Sequence, residues 1–269
     1  LEWWHSKLDG APQLLELPVD RARVPQDEVT GSAFLTQIDA QTGSSMISLC
    51  QEEHVSTLCG PLVAWAALML QLSGQADIVL GQPYSVQANQ RELQDVVGCY
   101  ASPLPVRIAK PTETMNLREL LRHVYAELLL AVDHANVPLF RIVQAFNPER
   151  SSVYNPLFQT IVQLLPEDAA ELAHAPDSGS RLQGMDIFLN LTQKADGAFE
   201  GVLAYNASIF DRTTLAELER RLLAWMSKAV AESSGPLATV TSDVLNGSVG
   251  LGDEKLNAFK HTITAETRF

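Results

Sequence analysis

The segment "CQEEHVSTLC" places Cys50, His54 and Cys59 close together. Cys50 and His54 fall one helical turn apart, a spacing that can present a thiolate and an imidazole to one metal ion. A further ligand at helical spacing is absent, so the pattern favours a structural role for these three. His134, in "DHANVPLF", begins a loop ahead of a helix and reads as a hydrogen-bonded loop residue rather than a general base. No pair of carboxylates stands out from a solvated-face background. A GxSxG elbow, a P-loop, GxGxxG and HExxH are all missing. Isolated chemistry therefore takes the reading no further than an α/β domain.

The elements that would position such residues are legible. Residues 2–9 predict a short helix ended by Gly10, followed by the irregular, Pro-rich "APQLLELPVDRARVP". Thr30 to Ile38 predicts a strand and 40–53 a helix. Ser56 to Leu72 is apolar nearly all round and predicts a buried helix stopped by Gly74. "ADIVLGQP" predicts a short central strand. Leu117, Leu120, Leu121, Val124 and Leu128 mark a helix over 116–133, and Pro138 starts another over 139–146. Strands are expected over 157–165, 185–192 and 199–206, the last two joined by the hairpin signal "KADG". Asp211 or Thr213 caps a helix running to about 232. The chain after Gly235, Ser- and Gly-rich in "TSDVLNGSVGLGDE", reads as a linker. Helices interleaved with strands indicate an α/β fold with a mixed β-sheet.

Composition narrows the function class. A net charge of −13 over 269 residues argues against a nucleic-acid partner, which needs clustered Lys and Arg. No apolar run approaches the ~18 residues that span a bilayer, so no membrane is expected. Cys50, Cys59 and Cys99 are too few for a disulfide framework, which points to a reducing, cytoplasmic setting. The Asn-X-Ser/Thr matches at Asn190, Asn206 and Asn246 then read as chance.

Short motifs in order carry a stronger signal. "VVGCYASPLPVR" resembles the VGxFVNTLxxR segment of nonribosomal peptide synthetase condensation domains. "HANVPLFRIV" resembles their HQDxPFExLV segment, and "RSSVYNPLFQ" their RDxSxNPLFQ segment. "LEWWHSKLDGAPQLLELPVD" is similar to YWxxxLxGAPxLLELPxD, "LSGQADIVLGQP" to YSGQDDIVVGxP, and "YNASIFDRTTL" to YxTDLFDxxT. All six fall in the family's order, from Leu1 to about Ala238.

The resemblance implies a chloramphenicol acetyltransferase-like lobe, with a mixed β-sheet flanked by helices. Condensation domains pair two such lobes around a tunnel. The HHxxxDG motif of the first lobe supplies the histidine that deprotonates or positions the acceptor amine. No two histidines are adjacent here, so residues 1–240 are expected to be the C-terminal lobe alone, and no catalytic residue is assigned to it. "LGDEKLNAFKHT" resembles the lead-in to an adenylation domain, which assigns 241–269 to a linker. The implied substrate-tunnel residues are Tyr100, Ser102, Pro103, Tyr154, Asn155 and Gln159. No cofactor or metal is expected on the chain itself; phosphopantetheine arms of partner carrier domains are implied. The implied partners are the N-terminal lobe, upstream and downstream carrier domains, and the adjacent adenylation domain.

Local chemistry suggests how these motifs build the fold. Gly98 lets the backbone pass close to a neighbour, and Pro103 with Pro105 fixes an extended loop. Asn155 before Pro156 is held out of the helical region, which is expected to launch a strand at Leu157. A segment crossing to the other lobe is expected within 165–184. Tyr100-Ala101-Ser102-Pro103 stands where the family has FVNT, and "SVQANQ" replaces a segment that usually carries Gly-Arg. Those departures keep a second reading open, a non-catalytic carrier-docking module of the same fold. A coenzyme A-dependent acyltransferase of the same superfamily is a third, which the adenylation-domain lead-in opposes.

Overall fold

The computed structural model describes residues 1–25, 29–85, 87, 92, 95–98, 100–146, 151–165 and 184–246. Along the chain run α1 (Glu2–Leu8), β1 (Gly31–Ile38), α2 (Ala40–Glu52), α3 (Cys59–Ser73), β2 (Asp77–Ser85) and β3 (Ala101–Ala109). Then come α4 (Leu117–Asp133), α5 (Leu139–Phe146), β4 (Thr160–Leu165), β5 (Ile187–Gln193), β6 (Phe199–Asn206), α6 (Arg212–Ala231) and α7 (Leu237–Asn246). The strands form one sheet in the order β1-β6-β5-β4-β2-β3. β4 runs parallel to β2 and β5, and every other pairing is antiparallel.

The helices form where side-chain chemistry closes their ends. Asn116 and Glu119 make a reciprocal capping box on α4. Gly74 ends α3 in the left-handed conformation at φ 69°. Asp39 caps α2 by accepting from the Thr42 N–H at 2.9 Å and the Thr42 hydroxyl at 2.8 Å. Helix α3 is buried on almost its whole circumference, between the sheet and the other helices.

One hydrogen bond identifies which face of the sheet the helices cover. The Trp65 indole of α3 donates to the Thr160 hydroxyl at 3.0 Å, so Thr160 faces the helical layer. Register carries that assignment across the sheet. Ile187, Leu189 and Leu191 on β5, with Phe199, Leu203 and Tyr205 on β6, face the helices. Phe188, Asn190 and Thr192 face the opposite side, as does Leu35 of β1, which is 71% exposed.

A strap of extended chain, residues 11–25, ties together one end of the sheet. Gln159, just before β4, uses its buried amide three times. Its Oε1 accepts from the Leu15 N–H at 2.6 Å, and its Nε2 donates to the carbonyls of Gln13 at 3.0 Å and Asn155 at 2.6 Å. Further along, Arg23 grips both oxygens of Asp186, just before β5, at 2.7 and 2.6 Å. Asp186 is buried, and the loss of water raises its carboxyl against the opposing pull of Arg23. Arg21 then donates to the carbonyls of Ala207, Ser208 and Phe210 beyond β6. On the far flank Arg107 of β3 pairs with Asp77 of β2 and donates to the carbonyls of Lys7 and Asp9.

Three sequence expectations differ from the structure. Residues 101–109 form the edge strand β3 rather than an extended loop. Pro103 sits opposite Pro83, and neither has an N–H, so that pair is non-hydrogen-bonded; Pro105, two residues on, shares its parity. Both prolines therefore place their missing donors away from β2, where an edge strand tolerates them. The strand expected from Leu157 begins at Thr160 instead. Leu157 adopts φ 74°, a sharp bend that buries Leu157, Phe158 and Gln159 in succession. Phe158 lies so close over Gly81 that a Cβ there would come within 2.5 Å of its ring. Thirdly, the segment after Gly235 folds into α7 across the expected boundary at 240. Leu237 and Val240 are buried, and Trp225 donates to the Thr241 hydroxyl at 3.2 Å.

Two stability predictions follow from these contacts. Gln159→Ala strands the buried Leu15 N–H and two carbonyls, and is expected to lower the urea-unfolding free energy by about 2–4 kcal/mol. Asp39→Ala is expected to cost about 1 kcal/mol at pH 7. The Thr42 N–H, foremost, holds the Asp39 carboxyl below its usual range. Its contribution is thus complete above about pH 4 and fades as pH falls through the depressed value, so the Asp39→Ala difference should vanish in acid unfolding curves.

Candidate functional site

The six residues expected along the tunnel fall into two groups. Tyr100 leads into β3, where Ser102 lies beside Tyr84 and Pro103 beside Pro83. Gly98 does pass close to a neighbour: a Cβ on it would come 2.9 Å from the Tyr100 ring. Tyr154 and Asn155 precede the bend at Leu157, and Gln159 stands at the foot of β4. Ile161 pairs with Gly81, so the Gln159 row meets β2 near Val79. The Ser102 row crosses β2 five residues further on, at Tyr84, which separates the groups by about 17 Å along the strand direction. They lie toward opposite ends of the sheet, and the described contacts do not bring them together.

Each group has a clear local chemistry. Gln159 has its whole amide engaged by backbone, so it holds the β4 foot to the strap. Its carbonyl accepts from the Asp186 N–H at 2.6 Å, while both Asp186 oxygens are held by Arg23. The Arg23–Asp186 pair links residues far apart in sequence, and pattern reading missed it. The only sequence signal is an acidic residue set directly before the apolar run "IFLNL". Ser102 and Pro103 sit on an edge strand, at the end of β3 remote from the strap.

The residues first singled out for chemistry have structural surroundings. Cys50 and Cys59 are fully buried, and that burial pushes their thiols up to about 11 and about 12. Thiolates are therefore scarce at neutral pH. Among the described residues no group of three or more His, Cys, Asp or Glu could hold a metal ion. His134 stacks on Trp3 with ring centroids 3.9 Å apart, and its carbonyl accepts from the Trp4 indole at 3.1 Å. Its Nδ1 lies 2.9 Å from the Leu130 carbonyl, which can only accept, so Nδ1 carries the proton.

A separate groove of about 700 Å³ lies between α2, α4 and the end of α6, lined by Thr42, Ser45, Ser48, Glu52, Arg118 and Ser227. Arg118 there is committed to Glu52 and Glu53, each at 2.7 Å. Residues 166–183, where the crossing segment is expected, lie outside the described residues. So do Cys99, most of "SVQANQ", and the adenylation-like lead-in. No described helix is long and apolar enough to cross a membrane.

Comparison with known proteins places this geometry. The chain is 32% identical over 223 residues to malpinin synthetase of Mortierella alpina, matching 80% of this chain and 3% of that protein. It is 29% identical over 247 residues to a phosphinothricin tripeptide synthetase of Streptomyces viridochromogenes, matching 87% of this chain and 22% of that one. It thus spans a small part of these relatives. Two solved structures share the fold at a TM-score of 0.78. One is a four-domain nonribosomal peptide synthetase bound to AMP and glycine, at 22% identity, covering 88% of this chain and 20% of that one. The other is the X-domain from teicoplanin biosynthesis, at 23% identity, covering 88% and 55%. The mixed sheet with its helices is accordingly the chloramphenicol acetyltransferase-like fold expected from the motifs. The model of the Condensation domain family matches residues 1–244, and the chain belongs to that family.

Proposed function

We propose that this chain forms the C-terminal lobe of a peptide-bond-forming condensation domain in a nonribosomal peptide synthetase. The family match over residues 1–244 carries this reading. The half-domain assignment is supported by the chain's span of 55% of the X-domain chain. The lobe then extends through α7, and the residues beyond it lead toward an adenylation domain. A cytoplasmic setting accompanies this assignment.

In the proposed reaction the amine of an acceptor aminoacyl carrier attacks the thioester carbonyl of a donor carrier. A C–N bond forms, the C–S bond breaks, and the donor pantetheine thiol leaves with the proton. Two carrier domains deliver the reactants on phosphopantetheine arms, and holding both reactants in register accounts for about 7–11 kcal/mol of barrier in well-oriented cases. This chain supplies one wall of the tunnel. Tyr100, Ser102 and Pro103 line one end, and Tyr154 and Asn155 the other, with Gln159 anchoring that second end from within. The sequence has no paired histidines, so the residue that handles the amine proton belongs to the companion lobe.

The test uses the domain with both lobes and two loaded carrier proteins, read by mass spectrometry. An amide product on the acceptor carrier is the expected result. No product from the intact domain would overturn the reading, and holo-carrier binding to this chain alone would then assign it to docking.

A further inference from the structure

The two edges of the sheet are built differently. At β3 the outward-facing positions include Pro103 and Pro105, which have no N–H to offer. At the other edge β1 reads Gly-Ser-Ala-Phe-Leu-Thr-Gln-Ile, with no proline and no charged residue. Among the described strands it pairs with β6 alone.

Register shows which backbone groups of β1 are left over. The Ala207 N–H donates to the Thr30 carbonyl at 2.8 Å, and these two residues continue the register of the ladder. Thr30 therefore bonds across to β6, as do Ser32, Phe34, Thr36 and Ile38 at the alternate positions. The N–H and C=O groups of Gly31, Ala33, Leu35 and Gln37 point the other way, and no described residue pairs with them. Leu35, in the middle of this row, is 71% exposed. Free backbone groups beside an exposed apolar side chain, with neither proline nor charge to interrupt them, form a template for another strand.

Charge and register select which strand. The chain carries −13, so two copies repel unless they meet on a surface without charge, and β1 is such a surface. Placed antiparallel to itself with Phe34 opposite Phe34, the strand is self-complementary. Gly31 then stands opposite Gln37 of the second copy, and Ala33 opposite its Leu35. All four are outward-pointing positions, so each pair can exchange N–H···O bonds in both directions. Their side chains share the outer face, where Leu35 packs against Ala33 of the second copy. Phe34 is half-buried and edge-on to Tyr205, with ring centroids 6.1 Å apart, and meets its counterpart on the helical face.

We infer that the free edge of β1 is an interface between two copies of this chain, which join β1 to β1 about a two-fold axis at Phe34 and form one continuous sheet. The symmetry makes the contact self-limiting, because each copy uses its open edge and the prolines of β3 close the other.

The experiment measures the mass of the domain with both lobes by sedimentation equilibrium, so its outcome does not depend on whether amide bonds are made. The wild-type mass is expected to double as concentration rises through the micromolar range, and the β1 amides should exchange more slowly with deuterium in the dimer. Leu35→Lys sets two cations at diagonal positions across the new ladder and should weaken the dimer about tenfold or more. Ala33→Pro removes an outward N–H that β6 does not use, and should do the same. Because Leu35 is exposed, Leu35→Lys leaves the fold intact, which an unchanged far-ultraviolet circular dichroism spectrum checks. Phe140→Lys, at a residue of α5 that is 68% exposed, should dimerise like wild type. A domain that stays monomeric throughout overturns the inference. So does a dimer that survives either β1 substitution, or one lost equally in Phe140→Lys, which would put the contact elsewhere.

Discussion

The strap from residue 11 to residue 25 is fixed at the feet of β4 and β5 by the Gln159 amide and the Arg23–Asp186 pair, and the register of those two strands depends on them. The sheet's strands come from widely separated stretches of chain, and β4 and β5 are parallel neighbours with no tight hairpin to fix their register. The Gln159 amide and the Arg23–Asp186 pair stand at the feet of these two strands and join both to the same short length of backbone. A buried ion pair gains little over an apolar substitute, yet breaking it leaves a stranded charge. The pair therefore acts as a register lock more than as a source of net stability.

The two faces of the sheet follow different rules. Toward the helices, β5 and β6 present Ile187, Leu189, Leu191 and Phe199 against a layer centred on α3, and the hydroxyl of Thr160 is matched to the Trp65 indole. Toward the other side, β5 presents Phe188, Asn190 and Thr192, and β1 leaves Leu35 exposed. The edge at β3 is managed separately. Pro103 and Pro105 aim no N–H groups outward, so another strand finds little to pair with along that stretch.

Much of the fold was legible because local signals and tertiary packing agree. The Asn116–Glu119 box, Gly74, the apolar run of α3 and the Gly197 hairpin each state a local preference that the structure keeps. Where the reading departed, a distant partner decided. Prolines at 103 and 105 read as loop until β2 offers them an edge. Leu157 reads as strand until Phe158 needs the space over Gly81. The Ser- and Gly-rich chain after Gly235 reads as linker until α6 and the core accept Leu237, Val240 and Thr241.

The sequence by itself determined the family, because six ordered motifs are a one-dimensional signal that needs no geometry to be counted. It also determined the α/β class, since the periods of helices and strands are properties of neighbouring residues. Only the tertiary structure decided which side of the sheet each strand residue faces, and that Gln159 and Asp186 are bound to the strap. Those facts depend on register between separate segments, more than a hundred residues apart for β1 with β6 and for the strap with β4 and β5, and a shift of one residue in any strand would exchange its two faces.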